Sequence, residues 1–308
     1  MRRAMRKAIG AMFALGMLGA LAVGQAQPAQ GDYLDVYTVQ VKPDKRAEFD
    51  ALTKKMIAAN RQKGDNWIAI ETVYGPGNRV SFISGRHSYA DVETAMGSFN
   101  QAMEKAYGKA PAQKLFEDFN QCVQSSRSEM RRRRWDLSSN APTDPAAYAK
   151  LIAESRWLRT AVVHVRPGQA PAFEAREKEL KAAREKASPS QTALISQAVA
   201  GQDGTVYYVT TLEPSLAALD TMPSLEQLLG EDDYARFLKT SAEVISDTEI
   251  VISRFAPELS NPPAEIVAMA PDYWSPKAEP VNAKAHPAKA PAENAVEKDK
   301  MDDKESKQ

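Results

Sequence analysis

Between residues 33 and 41 the chain reads YLDVYTVQV, with apolar or β-branched side chains at most positions. Tyr33, Tyr37, Val39 and Val41 share one parity and Leu34, Val36 and Thr38 the other. A strand alternates its side chains between two faces, so this pattern predicts a strand covered on both sides. Pro43 ends it, and Asp44 is placed to cap a helix whose apolar stripe is Phe49, Leu52, Met56 and Ala59. Two further strands, Trp67–Tyr74 and Arg79–Ser84, flank the turn residues Gly75–Asn78 and predict a hairpin. Helical spacing returns at Val92, Met96, Phe99 and Met103, and again at Leu115, Phe119 and Cys122. A last strand is expected over Ser128–Trp135. The order is β-α-β-β-α-β, with the second helix in two pieces.

The same order then repeats. VHVRPGQAPAFEA, from Val163, echoes VQVKPDKRAEFDA, from Val39: both run Val-x-Val, a cation and Pro, with Phe six residues later. A shift of 124 superposes these segments, 126 superposes the hairpins, and 122 brings Asp136–Ser138 onto Glu258–Ser260. Drift between blocks is what loop insertions and deletions produce, so the chain carries an internal duplication. The second copy has strands at Leu158–Val165, Thr192–Ala200, Thr205–Leu212 and Thr248–Phe255. Its helices are expected at Pro171–Lys186 and, in two pieces, between the third and fourth strands.

A β-α-β-β-α-β unit is the ferredoxin-like arrangement, with helices on one face of a four-stranded antiparallel sheet. Two such units, each with a largely apolar bare face, are best satisfied by packing sheet to sheet. The element order, the Val-x-Val-x-Pro start and the central hairpin resemble the dimeric α/β-barrel superfamily, which includes antibiotic-biosynthesis-type monooxygenases. The resemblance covers residues 32–137 and 157–260. It implies an α+β fold in which one chain supplies both halves of a pseudo-dimeric barrel. Haem-degrading members of that superfamily use an Asn, a Trp and a His together; no matching positions hold that trio here, so no haem site is carried over.

The ends of the chain differ from its middle. Arg2, Arg3, Arg6 and Lys7 precede the apolar run Ala8–Val23, and Gly24–Ala26 supplies small residues, the three-part plan of a cleaved signal peptide over residues 1–26. The run is shorter than the roughly 20 residues of a membrane-spanning helix. The expected location is therefore periplasmic or secreted, with no membrane span after cleavage. Forty cations balance forty anions in the full chain; losing four cations with the leader leaves a net charge of −4, and nucleic acid is an improbable partner for such a chain. Residues 138–156 read as a linker ending in a short helix. Residues 261–308 read as a tail, disordered over 276–308 because Pro, Ala, Lys and Glu cannot bury enough apolar surface. Ile266–Trp274 is an apolar island within it, suited to docking on the folded part.

Candidate chemistry is sparse. His164 shares a strand face with Val162 and Thr160 and is placed to act as a base or simply to pack. In the run Arg131–Arg134, Arg132 aligns with Arg254, and a matched pair of guanidinium groups suits a carboxylate or phosphate; a charged edge strand is the plainer account. Trp67 and Tyr208 are candidates for lining a small-molecule cavity, or for core. His87 sits where a strand passes into a helix. Cys122, the single cysteine, falls on an apolar helix face and reads as core. No metal-ligand cluster, phosphate loop or nucleophile motif occurs in the sequence, so no metal or other cofactor is expected. These features support binding of a small apolar or anionic ligand between the units without catalysis. Two alternatives stay open: a cofactor-independent monooxygenase-like enzyme, which the resemblance implies, and a structural or partner-binding envelope protein, which the charged tail suits. The sequence leaves the oligomeric state undetermined.

Overall fold

A computed structural model describes residues 32–61, 64–187 and 191–275; the predicted signal peptide and the stretch 276–308 lie outside them. In the first unit β1 (Tyr33–Val41) leads into α1 (Arg46–Asn60), and β2 (Ile68–Tyr74) and β3 (Arg79–Arg86) form the hairpin. Then come α2 (Tyr89–Tyr107), α3 (Lys109–Cys122) and β4 (Val123–Arg133). After α4 (Pro145–Glu154) the second unit runs β5 (Trp157–Val165), α5 (Ala170–Ala187), β6 (Ala193–Ala200), β7 (Thr205–Glu213), α6 (Leu225–Leu229), α7 (Glu231–Val244) and β8 (Ile245–Phe255). Two short helices follow, α8 (Ala264–Met269) and α9 (Pro271–Trp274).

The duplication shows in the backbone as well as the element order. The helical connection of each unit breaks at a glycine, Gly108 and Gly230, 122 residues apart, with φ of 83° and 81°. Only glycine takes such an angle without steric cost, so the same break is made in the same way twice. Strands β4 and β8 begin five and three residues earlier than their sequence patterns predict. Their first turns of chain are polar and exposed, and they are held by ladder hydrogen bonds to β1 and β5 rather than by buried side chains.

The eight strands form a closed antiparallel barrel in the order β1-β3-β2-β8-β5-β7-β6-β4. Each unit keeps the ferredoxin-like order of its own four strands. The units do more than face each other: β2 pairs with β8, and β4 with β6, so the edges of the two sheets are joined by hydrogen bonds. Closure leaves no unpaired edge, which removes the template that open sheets offer to other chains.

Helices pack on the outside. Val39, Val41, Phe49, Met103, Phe119 and Cys122 form the core between the first sheet and α1–α3. Burial pushes the Cys122 thiol up, in keeping with a packing role. Val163, Phe173, Tyr207 and Val244 are the counterpart in the second unit, with the rings of Phe173 and Tyr207 4.4 Å apart.

A third core has no precedent in the repeat. Residues between the units and residues after the second unit fold together over one end of the barrel: Tyr148, Ala149 and Ile152 of α4 join Ile266 of α8, Trp274 of α9, and Leu158, Leu212 and Phe255 from the strand ends. Trp274 is 2% exposed and meets Phe255 edge-on at 5.4 Å. Residues 261–275, assigned to the tail on sequence, are thus folded. Asp144 caps α4 by accepting from the Ala147 N–H at 2.8 Å, and Pro145 follows at the first helical position, where its missing N–H costs nothing.

Candidate functional site

Strand alternation sends one parity of every strand into the barrel. From β1 these are Leu34, Val36, Thr38 and Gln40; from β5, at a shift of 124, Leu158, Thr160, Val162 and His164. The interior is not filled. It holds two chambers, of about 390 Å³ and 480 Å³, one towards each end. Ile70, Ile83, Arg131 and Thr160 line both and form the waist between them.

The smaller chamber is mostly apolar. Its walls include Ile68, Leu158, Leu194, Leu212 and Phe255, and Ile152 and Ile266 of the end cap close over it. The larger is polar, bounded by Thr38, Gln40, Arg79, Arg127, His164 and Glu249 among others. The two copies have diverged on the strand that separates them most in chemistry. Arg127, Glu129, Arg131 and Arg133 of β4 face inward where β8 presents Glu249, Val251, Ser253 and Phe255.

Glu129, on the polar-chamber side of the waist, ties three side chains together. It accepts from Arg131 Nε at 2.8 Å, from the Tyr208 hydroxyl at 2.7 Å and from Gln202 Nε2 at 2.8 Å. The Arg131 guanidinium also lies over the Tyr208 ring, 3.4 Å from its centroid. Burial is the main reason the Tyr208 phenol is pushed up to about 12, with the neighbouring carboxylate adding to it and Arg131 opposing. Tyr208 is therefore a neutral hydrogen-bond donor at physiological pH and not a base.

The residues singled out from sequence separate into three places. His164 and Tyr208 line the polar chamber. Trp67 lies at the edge of the apolar one, but its ring belongs to the first-unit core, 5.9 Å from Phe99, and its Nε1 donates to the Leu259 carbonyl at 2.9 Å. Arg132 and Arg254 do not form a ligand-binding pair. Both have the outward parity of their strands, and β4 and β8 are not neighbours in the barrel. Arg132 is exposed. Arg254 donates to Glu71 Oε2 at 2.7 Å and 3.0 Å, and Arg46 of α1 contacts the other oxygen of the same carboxylate. Burial works against the Glu71 charge, but these bonds outweigh it and hold the carboxyl below its usual range. His87, at the rim of the apolar chamber, is exposed, and its backbone N–H donates to Asp91.

Sequence reasoning missed Arg131 and Arg133, the inward-facing members of the arginine run, and with them Glu129 and Trp135. The available signal was the alternation itself: Glu129, Arg131 and Arg133 share parity, and their second-copy equivalents Val251, Ser253 and Phe255 are uncharged. Among the described residues no three of His, Cys, Asp and Glu converge as a metal site would require.

No family model and no curated protein matches the chain. Solved structures do resemble it. A candidate monooxygenase from Lactobacillus acidophilus NCFM aligns over 72% of this chain and 92% of its own, with 10% identity and a TM-score of 0.44. An anthrone oxidase-like protein aligns over 74% and 93%, with 12% identity and a TM-score of 0.47. A mutant chlorite dismutase from Candidatus Nitrospira defluvii aligns over 75% and 93%, with 8% identity and a TM-score of 0.42. The strand order of the chain itself decides its architecture, because two ferredoxin-like sheets close edge to edge. The fold is a dimeric α/β barrel in one chain. Within this barrel, the described segments outside the two repeats gather over the apolar chamber, and among the described residues no helix is long and apolar enough to cross a membrane.

Proposed function

We propose that the chain binds a small apolar or anionic molecule inside the barrel, at the end covered by α4, α8 and α9, without acting on it chemically. The observation that carries this reading is an apolar chamber of about 390 Å³, walled by both copies and roofed by segments that belong to neither. A recessed, largely apolar hollow with a few polar groups is the usual form of a small-molecule site. A catalytic role would draw on the waist and the polar chamber. There Glu129 is occupied by three hydrogen bonds and Tyr208 holds its proton, so these groups serve structure better than proton transfer.

A neutral, environment-sensitive naphthalene fluorophore tests the reading. Saturable binding is expected in the intact protein, and Leu212→Trp, which fills the chamber, should weaken it at least tenfold. A melt followed by circular dichroism identifies variants that stay folded, and Leu158→Phe serves as the second filling variant. Absence of saturable binding, or binding indifferent to both fillings, would overturn the proposal.

The same reading places the protein in the periplasm or outside the cell, on the charged, apolar and small-residue order of residues 1–26. The mass of the exported chain should then begin close to Gln27. An exported chain that still starts at Met1 would count against cleavage.

A further inference from the structure

The walls of the apolar chamber contain three arginines, and two of them are neutralised. Arg86 donates to both oxygens of Asp65, at 2.8 Å and 2.6 Å, and reaches Asp35 at 3.3 Å. Arg131 is paired with Glu129. Arg133 is different. It is 8% exposed and, unlike the other two, has no ion pair with a carboxylate among the described residues; its Nε, like that of Arg86, is buried with no hydrogen-bond partner. Its guanidinium lies 5.2 Å from the ring centroid of Trp135 and 4.8 Å from that of Tyr148. Those rings orient it and offset part of its charge. They accept none of its planar N–H bonds, and arginine does not shed its proton to escape burial.

Trp135 lines the same chamber, and its Nε1 is also buried without an acceptor. A guanidinium without a counter-charge and an indole N–H without an acceptor therefore sit side by side in the wall of a mostly apolar hollow. Buried polar groups are ordinarily bonded, so such a pair marks a place where something is meant to sit. The group that fits is an acceptor, not a donor. It is anionic, because one positive charge is uncompensated, and singly so, because a phosphate-like dianion would leave an unmatched charge of its own. The equivalent of Arg133 in the second copy is Phe255, on the same chamber. One copy thus offers the charge and the other the apolar surface.

We propose that the ligand is an apolar monocarboxylate, its carboxylate held by the Arg133 guanidinium beside Trp135 and its hydrocarbon part lying against Leu158, Leu212 and Phe255. This deepens the proposed function and rests on it. Arg133 is the affinity and specificity determinant, as a planar fork that can engage both carboxylate oxygens.

Calorimetry with decanoate and decanol, two probes that differ in the head group, tests the idea on the full chain. Decanoate should bind the intact protein at least tenfold more tightly than decanol. Arg133→Met should remove that preference, bringing decanoate affinity down to that of decanol in the same variant. Equal affinity for the two probes in the intact protein would overturn the monocarboxylate assignment while leaving the chamber reading standing; loss of binding by both would sink the two together. Because the first comparison needs no variant, a poorly folded Arg133→Met protein does not blunt the test. In that event Arg133→Lys, which keeps the charge without the fork, should show a reduced but measurable preference. A preference for decanoate that survives in a folded Arg133→Met protein would place the anion elsewhere and overturn the role of Arg133.

Discussion

Residues 30–138 expressed alone should fail to give a soluble, cooperatively folding monomer. In the whole chain this unit turns its inner face, with Val36 buried and Leu34, Ile68, Ile70 and Ile83 half-buried, into a barrel whose other half comes from the second unit. Fully burying an aliphatic side chain is worth about 1.5–3 kcal/mol, so exposing this partly buried set costs several kcal/mol, roughly 5. That is a large fraction of the entire stability of a typical domain. The fragment would also leave β2 and β4 without β8 and β6, presenting two open edges. Aggregation, unfolding, or a homodimer that restores a closed barrel from two copies is the expected result. Light scattering with a thermal melt distinguishes these. A stable monomer would show that the two sheets do not depend on each other.

The second large effect is expected at the waist. Glu129→Ala removes the acceptor shared by Arg131, Tyr208 and Gln202 and leaves a mostly buried guanidinium without its counter-charge. Breaking one side of such a pair costs about 3–5 kcal/mol, chiefly because the surviving charge stays desolvated. The double change Glu129→Leu with Arg131→Met should cost much less, since it removes both charges and keeps apolar volume at the waist. Urea denaturation of the single, double and parent proteins measures the difference. If the double variant is as unstable as Glu129→Ala, the loss comes from packing around Tyr208 and not from the unpaired charge.

Both predictions turn on the joint between the copies, where the duplication has stopped being symmetric. The outer cores still match, with Val39, Val41 and Phe49 answering Val163, Val165 and Phe173. Inside the barrel Arg131 answers Ser253 and Arg133 answers Phe255. Once both halves lie on one chain, each interior position can change alone. A dimer of identical units would repeat every buried charge twice.

Element order, the duplication and the two-faced character of the first strand in each copy were legible from the amino-acid sequence. Those depend on local periodicity: alternation in Tyr33–Val41 and Trp157–Val165, helical spacing through Phe49, Leu52 and Met56, and a turn at Gly75–Asn78. Periodicity reports that Arg131 and Arg133 share a face opposite Arg132, but not which face points inward. That choice is made by the register of β4 against β1 and β6, so Arg132 was singled out in advance while its two neighbours line the chambers. The apolar island Ile266–Trp274 stood out as a docking segment, but its partner in the roof of the apolar chamber did not. Residues 145–154 and 264–274 are separated by more than a hundred positions, so nothing local says that the two meet. They meet because the barrel brings the ends of β4, β5 and β8 to one rim, where Phe255, Leu158 and Leu212 offer an apolar surface that both can cover. Even the unpaired state of Arg133 exists only in three dimensions: an arginine in a sequence with forty acidic residues looks well supplied with partners, and only the closed barrel leaves it beside a hollow without an ion pair among the described residues.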